Sequence, residues 1–385
     1  MLIHKYARYI IFVSIFLYSA LNCFFDSGSL ATQIMLLIIF IISLYYFLKS
    51  ILLKNNYFYY CWTSLLLLNI IGFILNADYT SSLFVNQLKG VLICSVVFYP
   101  FYYLSRIGFI KAHYFELYCF LIIPAFIFQF YKTKHLKQLL SIEYFTNNDG
   151  YLFLSLFPLT FLFNKKKWLS FLLIIIIGYF TIESAKRGAV IIYFVLIILF
   201  MLYLFNNELL SSNIGAIKKI FLVLFAIVIL YGLYYFYQNN QYLLKRIEAI
   251  SETGGSGRDV IYKGIYDYWV NSQNFITYLF GFGFAASFLV LGHWAHNDWF
   301  ELLFDCGLLG FFIYFNLLIS LLYVLFVQMK QKKEINYLLI SIFISWFFTS
   351  LFSMWYSSAV SVTYSMLLGY LMGGFSKNDY DFQDC

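Results

Sequence analysis

The segment HWAHNDWFELLFDCGLLG at residues 293–310 decides the fold, because it leads from a polar loop directly into a long apolar run. Two related segments precede it, GGSGRDVIYKGIYDYW at 254–269 and YLFGFGF at 278–284. Charge, histidine and glycine gather in these segments, whereas the rest of the chain is apolar. Charged groups next to a membrane are costly and usually have a function. The region therefore predicts an active site for an anionic, lipid-linked substrate.

The composition of the chain predicts an integral membrane protein. Of its 385 residues, 63% are hydrophobic and 11% are charged, whereas soluble domains carry roughly 25% charged residues. The net charge of +7 comes mostly from lysines in short loops, which is typical of orientation signals and not of a nucleic-acid-binding face. The six cysteines form no CxxC pair, so neither disulfides nor a thiolate metal site is expected.

Apolar runs that could cross a hydrocarbon layer of roughly 30 Å recur throughout. They predict an all-α integral membrane protein with about 12 transmembrane helices and one large loop. Residues 1–237 would carry helices one to nine, 238–297 the large loop with short helices, and 298–385 helices ten to twelve and a tail. The runs lie at 7–26, 30–48, 57–76, 88–104, 114–131, 151–163, 168–182, 189–205, 219–237, 298–327, 335–352 and 358–374.

Charge asymmetry predicts the orientation of these helices. If both termini lie inside, 15 of the 25 lysine and arginine residues fall on one side, which identifies that side as cytoplasmic. The large loop then lies outside. Lys132, Lys134 and Lys137 break this rule, and the segment 132–150 that contains them is expected to be an outer loop.

The large loop is expected to contain one interfacial helix and one turn. A helix is predicted from about Gly257 to Val270, capped by Ser256, with an apolar stripe that would lie along the membrane surface. YLFGFGF is interrupted by Gly281 and Gly283, so a re-entrant turn is expected there. The predicted stripe consists of Val260, Tyr262, Ile265, Tyr268 and Trp269.

Two arginines are candidates for binding an anionic group. Arg258 lies near the start of the loop helix, where free N–H groups and a guanidinium suit a phosphate; the alternative is contact with lipid phosphates. Arg187 lies in ESAKRGAV at the outer end of the eighth run, before Gly188, which allows another segment to approach closely. The alternative for Arg187 is an ion pair with Glu183 on one helix face.

His296 is the strongest candidate for a proton acceptor, because a neutral imidazole can take a proton from an attacking hydroxyl near pH 7. Asn297 and Asp298 could orient its ring or an acceptor sugar, while Glu301 and Asp305 are alternative proton acceptors or ring orienters. No phosphate-loop, dinucleotide or zinc-protease motif supports ATP, nicotinamide or zincin chemistry. Three other interpretations of this region stay open: a histidine hydrogen-bonded to backbone, a metal site of His293, His296 and Asp298, and an acid at Asp26.

Three motifs in order resemble the O-antigen ligase and O-antigen polymerase (Wzy) superfamily. AKRGA at 185–189 is similar to an arginine–glycine element at the end of a span. SGRDVIYKGIYDYW with LFGFGF is similar to a GR…W…GxG element in the large periplasmic loop, and HNDWFELLFDCGLLG to an HN…E…GxxG element. The chain departs from the family in AKRG, where a small residue and a serine are more usual before Arg-Gly, and at Asp298, where the family varies.

The resemblance implies a helical bundle like that of C-type glycosyltransferases, and a metal-independent, inverting transfer without a cofactor. Arg187 and Arg258 would bind the diphosphate of an undecaprenyl-diphosphate-linked oligosaccharide, and His296 would be the base. The implied location is the bacterial inner membrane, with both termini cytoplasmic and the active site periplasmic. The implied partners are the lipid-linked oligosaccharide, the bilayer and a chain-length regulator protein. Supporting residues would be Asn297, Asp298, Glu301 and Trp269.

Polymerase and ligase share this donor chemistry and differ in the acceptor. A polymerase uses another lipid-linked repeat unit, whereas a ligase uses the lipid A core; compact loops and an AT-rich composition favour the polymerase. The alternative from another class is a transporter or flippase, which is expected to show broken helices, charges at midplane depth and paired halves. Only Glu116 is a candidate for such a deep charge. A protein with a purely structural or assembly role is the third option, and it would not need Arg187, Arg258 and His296 at the same depth in the membrane.

Overall fold

The computed structural model describes most of the chain, and every regular element in the described ranges is a helix. The described ranges are 2–25, 28–76, 81–139, 147–163, 166–204, 258–272, 274–330, 335–356 and 359–381, with a few single positions between 223 and 244. The predicted span at 219–237, the predicted cap Ser256 and the candidate acid Asp26 lie outside these ranges, apart from isolated positions in the span.

Fifteen α-helices are numbered here in chain order within the described ranges. Two short 3-10 helices, Phe157–Leu162 and Ala359–Ser361, precede α8 and α15. The α-helices are α1 (Leu2–Phe24), α2 (Leu30–Ile51), α3 (Tyr57–Asn76), α4 (Ser82–Val96), α5 (Phe98–Arg106), α6 (Ala112–Leu139), α7 (Asp149–Leu154), α8 (Lys167–Glu183), α9 (Arg187–Leu204), α10 (Arg258–Val270), α11 (Phe275–Phe280), α12 (Ala286–Leu291), α13 (Asp298–Lys330), α14 (Ile335–Phe352) and α15 (Val362–Asp381).

Seven helical segments in the described part of the chain are long and apolar enough to cross a membrane. The chain is therefore a helical membrane protein. The predicted span at 151–163 is instead a short α-helix followed by a 3-10 helix, too short to cross alone. The candidate spans are His4–Phe24, Leu30–Ile51, Tyr57–Leu75, Ser82–Arg106, His113–Leu139, Arg187–Leu204 and Asp298–Val327.

Helices α5 and α15 make the most extensive helix–helix contact of the bundle. Gly369 and Gly373 are four residues apart on α15, and a Cβ atom at either would overlap the backbone of α5 near Phe98 and Tyr102. This small-residue spacing lets the two backbones approach closely, as is common between helices in membranes.

Cationic residues hold together the two ends of the bundle. At one end, Arg8 donates a hydrogen bond to the carbonyl of Phe109 at 3.0 Å, and Arg106 donates to that of Lys54 at 2.8 Å. At the other end, Lys132 donates to the carbonyl of Phe24 at 3.2 Å. The second end is called the site end below, because it carries the candidate site.

Two predictions about the site end are wrong. Helix α6 continues to Leu139, so the first part of the segment 132–150 is helical and not a loop. Glu183 and Arg187 do not share one helix face, because α8 ends at Glu183, the chain turns with Ala185 at φ 51°, and α9 begins at Arg187. Glu183 forms an ion pair with Lys134 at 2.7 Å instead.

Helix α10 follows the predicted limits closely, and the predicted apolar stripe divides between exposed residues and residues that pack on the protein. Val260 is 70% exposed and Tyr268 is 46% exposed. The residues that pack on the protein are four positions apart, so they lie on one side of the helix. These residues are Ile261, Ile265 and Trp269.

Two glycines whose backbones pack against each other interrupt the helix of the predicted tenth span. This contact is called the interlock below. Gly307 has φ 63° and ψ −160° inside α13, and Gly281 has φ 76° and ψ −168° at the end of α11. Both lie in a region of backbone conformation that is essentially restricted to glycine. The segment after Gly281 pairs with α13, since Phe282 N–H donates to the Phe304 carbonyl at 2.8 Å. The YLFGFGF segment thus turns, as its glycines predict.

Candidate functional site

His296 lies in the wall of a cavity of about 220 Å³ at the site end of the bundle. Its backbone has φ 52°, which is uncommon for a residue other than glycine. Among the described residues, no hydrogen bond to its ring is formed, so the interpretation of His296 as a backbone-bonded interfacial histidine is wrong. Other polar side chains in the wall are Gln87 from α4, Asn148 and Tyr151 at α7, Thr349 from α14, and Ser361.

Arg258 and Lys186 place positive charge beside this cavity. The guanidinium of Arg258 donates to the carbonyl of Phe352 at 2.9 Å, where the C-terminal end of α14 carries partial negative charge. Partial desolvation of the imidazole at the cavity wall lowers the pKa of His296 below its usual 6.5, although the side chain remains exposed, and the charges of Arg258 and Lys186 lower this pKa further. The ring is therefore neutral near pH 7 and able to accept a proton.

Arg187 begins α9, whose N-terminal end lies against the wall of the cavity. A Cβ atom at Gly188 would lie 2.5 Å from the Tyr151 hydroxyl and 2.8 Å from the Phe352 Cβ, so only glycine allows this approach. The N-terminal end of a helix carries partial positive charge and favours anions. Arg187 and Lys186 thus add to a positive region that also contains Arg258.

Asn297 and Asp298 hold the backbone around the cavity and do not orient the ring of His296. The side-chain oxygen of Asn297 caps α13 by accepting from the Trp299 N–H at 2.9 Å, and its amide donates to the Leu351 carbonyl at 3.2 Å. The buried Asp298 accepts from the Tyr314 hydroxyl at 2.5 Å and from the Trp355 N–H at 2.9 Å. Because Trp355 lines the cavity, Asp298 fixes one wall.

Glu301 and Asp305 likewise bind backbone and are not placed as proton acceptors. Glu301 accepts from the Ala295 N–H at 2.7 Å and from the Ser287 hydroxyl. Asp305 accepts from the N–H groups of Ala285 and Ser287, each at 3.1 Å. Both carboxylates are buried. Together they fix α12 and the loop that ends in His296.

The alternative of a metal site receives no support from the geometry. Asp298 uses both carboxylate oxygens for hydrogen bonds to other elements. Within the described ranges, no group of three or more histidine, cysteine, aspartate or glutamate side chains is arranged to hold a metal ion. The predicted supporting residue Trp269 packs with Ile265, Ala295 and Phe304 under the loop and is not part of the cavity wall.

Three residues of this site were not predicted from the sequence. Lys186 is next to Arg187, and only the fold shows that its charge reaches His296. Asn148 follows a segment without a motif. Trp355 lines the cavity, and its buried indole N–H has no hydrogen-bond partner among the described residues. The site thus combines one neutral imidazole, several cations and a donor that the described residues leave unpaired, the Trp355 N–H.

Comparison with known proteins does not place the chain in a family. No protein-family model matches the sequence, and no curated protein matches it significantly.

Proposed function

We propose that the chain is a glycosyltransferase that polymerises a surface polysaccharide at the periplasmic face of the bacterial inner membrane. It would transfer a growing glycan from undecaprenyl diphosphate to a hydroxyl of another lipid-linked repeat unit. The observation that supports this proposal best is the neutral imidazole of His296 in a polar cavity beside Arg258 and Lys186. The three ordered motifs of the polymerase and ligase superfamily support the same activity.

The arrangement suggests a single displacement without a covalent enzyme intermediate. His296 accepts the proton of the acceptor hydroxyl, whose oxygen attacks the anomeric carbon of the donor glycan. The bond from this carbon to the diphosphate oxygen breaks, and the configuration is inverted. Arg258, Arg187 and Lys186 stabilise the charge that develops on the leaving diphosphate, as fixed cations in a partly dehydrated site do.

The proposal is tested with purified protein and the lipid-linked repeat unit extracted from the source cells, in the presence of a chelator. We expect a ladder of longer glycans from wild type. His296→Ala should lower the rate by roughly 10²–10⁴-fold, the usual contribution of a general base. His293→Ala is the matched control, because this neighbouring histidine is not part of the cavity wall.

The same assay separates the competing functions. Products that form only after lipid A core is added would identify a ligase. Movement of the lipid across vesicles without a new glycosidic bond would identify a transporter. Equal activity of His296→Ala and wild type would contradict the assignment of the base. Arg258→Lys should lose activity on the order of 10²-fold, because lysine lacks the fork geometry of guanidinium.

A further inference from the structure

Tyr151 carries a hydroxyl group that the mechanism above leaves unused. The residue is 8% exposed and lies in the wall of the cavity that contains His296. Among the residues that the structure describes, the hydroxyl has no hydrogen-bond partner. Its oxygen is nevertheless not sealed in by protein atoms, unlike the indole nitrogen of Trp355. Because a buried tyrosine usually pairs its hydroxyl, this one is available to a molecule in the cavity.

The contacts around Phe352 place this hydroxyl beside the guanidinium of Arg258. A Cβ atom at Gly188 would lie 2.5 Å from the Tyr151 hydroxyl and 2.8 Å from the Phe352 Cβ, so the three residues meet at one point. The carbonyl of Phe352 accepts the hydrogen bond from Arg258 at 2.9 Å. The charge of Arg258 accordingly acts on both the phenol of Tyr151 and the ring of His296. One ligand held by Arg258 can therefore contact both side chains.

The groups around the phenol decide which ligand atom it meets. Gly188 lies in the first turn of α9, where the N–H groups have no partner within the helix and the helix end carries partial positive charge. Arg258 adds a full positive charge. An O–H group among cations and N–H donors needs an acceptor, and a phosphate oxygen supplies an acceptor together with a negative charge. A sugar hydroxyl at this point would leave the cations without a counter-charge.

We infer that Tyr151 is a further catalytic residue, whose hydroxyl donates a hydrogen bond to a phosphate oxygen of the diphosphate leaving group. The inference rests on the proposed function and deepens it, because Arg258 binds the same group. The phenol keeps its proton throughout. When the bond from the anomeric carbon to the diphosphate oxygen breaks, its electron pair goes to this oxygen and the negative charge on the diphosphate increases. The hydrogen bond from Tyr151 then becomes stronger and lowers the barrier.

The test compares two tyrosines in the purified full chain in detergent. Tyr193 on α9 is buried like Tyr151, but its hydroxyl donates to the Ile174 carbonyl at 2.8 Å and lies outside the cavity wall. Tyr151→Phe should lower kcat/KM for the lipid-linked repeat unit by roughly 10–100-fold, the loss of one hydrogen bond to a charged group. It should also weaken binding of undecaprenyl diphosphate without lowering the thermal stability of the ligand-free protein. Tyr193→Phe should show the reverse, with lower stability and with kcat/KM and binding close to those of wild type.

A second binding measurement uses phosphatidylglycerol, because the headgroup of a bilayer lipid is the other source of a phosphate oxygen. If Tyr151→Phe weakens binding of phosphatidylglycerol and not of undecaprenyl diphosphate, the hydroxyl contacts bilayer lipid and the inference is overturned. Binding of undecaprenyl diphosphate and kcat/KM equal to those of wild type would also overturn it. A loss of ligand-free stability in Tyr151→Phe as large as that in Tyr193→Phe would identify a structural role instead.

Failure of the proposed function is distinguishable from failure of this inference. If wild type makes no glycan product, the proposed function fails. Weaker binding of undecaprenyl diphosphate by Tyr151→Phe would then still support the contact between the phenol and the diphosphate. If wild type makes product and Tyr151→Phe makes it at the same rate, the proposed function stands and the role of Tyr151 is rejected.

Discussion

His296 combines a strained backbone with a ring that has no hydrogen-bond partner in the described part of the chain, and both follow from its neighbours. The loop before it is fixed by Glu301 through the Ala295 N–H, and the residue after it caps α13. A residue held from both sides can keep a left-handed conformation that costs of order 1–3 kcal/mol. The result is an imidazole at the cavity wall that forms no hydrogen bond to any residue that the structure describes.

The lowered pKa of His296 predicts how activity depends on pH. The base form is the neutral ring, and partial desolvation together with the charges of Arg258 and Lys186 keeps the pKa of His296 below 6.5. The acidic limb of kcat/KM, which reports the free enzyme, should therefore lie below pH 6.5. Lys186→Gln removes one of the charges and should move this limb to higher pH. Measured rates against pH for both proteins check this, and an unchanged limb would show that His296 is not the titrating base.

Tyr314 is predicted to stabilise the fold through its hydrogen bond to the buried side chain of Asp298. Tyr314→Phe removes the hydroxyl that donates to Asp298 at 2.5 Å and accepts from Trp346 at 2.7 Å. We expect the free energy of unfolding to fall by roughly 1–3 kcal/mol, because the substitution leaves the buried Trp346 N–H and one Asp298 oxygen without this partner. Tyr323→Phe is the control, since Tyr323 on α13 is 67% exposed. Equal thermal stability of the two variants in detergent would argue against this role.

At the scale of elements, the interlock of α11 and α13 positions the whole loop. Gly281 and Gly307 each lie against the backbone of the other element, so no side chain fits at either position. The break at Gly307 separates a first segment, which carries Asp298, Glu301 and Asp305, from the long apolar segment after it. The acids can thereby bind loop backbone while the remainder of α13 packs on α3.

Gly281→Ala should unfold or loosen this interlock. The new Cβ would overlap the backbone of Asp305 and Cys306, in a conformation that itself costs about 1–3 kcal/mol without glycine. We expect a loss of stability above about 3 kcal/mol and loss of glycan transfer. Gly292→Ala is the control, because Gly292 also has positive φ but has nothing within 4 Å of the added Cβ. It should cost only about 1–2 kcal/mol.

The sequence predicted some elements well because their signals are local. The limits of α10 and the interruption at Gly281 and Gly283 follow from caps, periodicity and glycine spacing. Which residues of the α10 stripe pack on the protein was not predicted, since only the tertiary contact distinguishes the buried Ile265 from the exposed Val260. The proximity of Lys186 to His296 joins residues 110 positions apart, and no local pattern contains such a contact.

At the scale of the whole molecule, the long helix α6 accounts for the lysines that broke the charge rule. It has 28 residues, or about 42 Å at 1.5 Å per residue, which exceeds a hydrocarbon core of roughly 30 Å. Its final turns carry Lys132, Lys134 and Lys137 and can project beyond the membrane at the site end. The charge of Lys134 is also neutralised by its ion pair with Glu183. These lysines therefore carry little weight in an argument about orientation.

The remaining charges predict which end of the bundle faces the periplasm. Arg8, Arg106 and Lys54 lie at the end opposite His296, so this end should be cytoplasmic by the positive-inside rule. Single cysteines at exposed positions, His293→Cys and Lys54→Cys, can be placed in a Cys385→Ser background; the other five cysteines are buried. A membrane-impermeant maleimide should label His293→Cys in intact spheroplasts and Lys54→Cys only after lysis. The reverse pattern would put the imidazole in the cytoplasm, where a polymerase acting on exported lipid-linked units could not work.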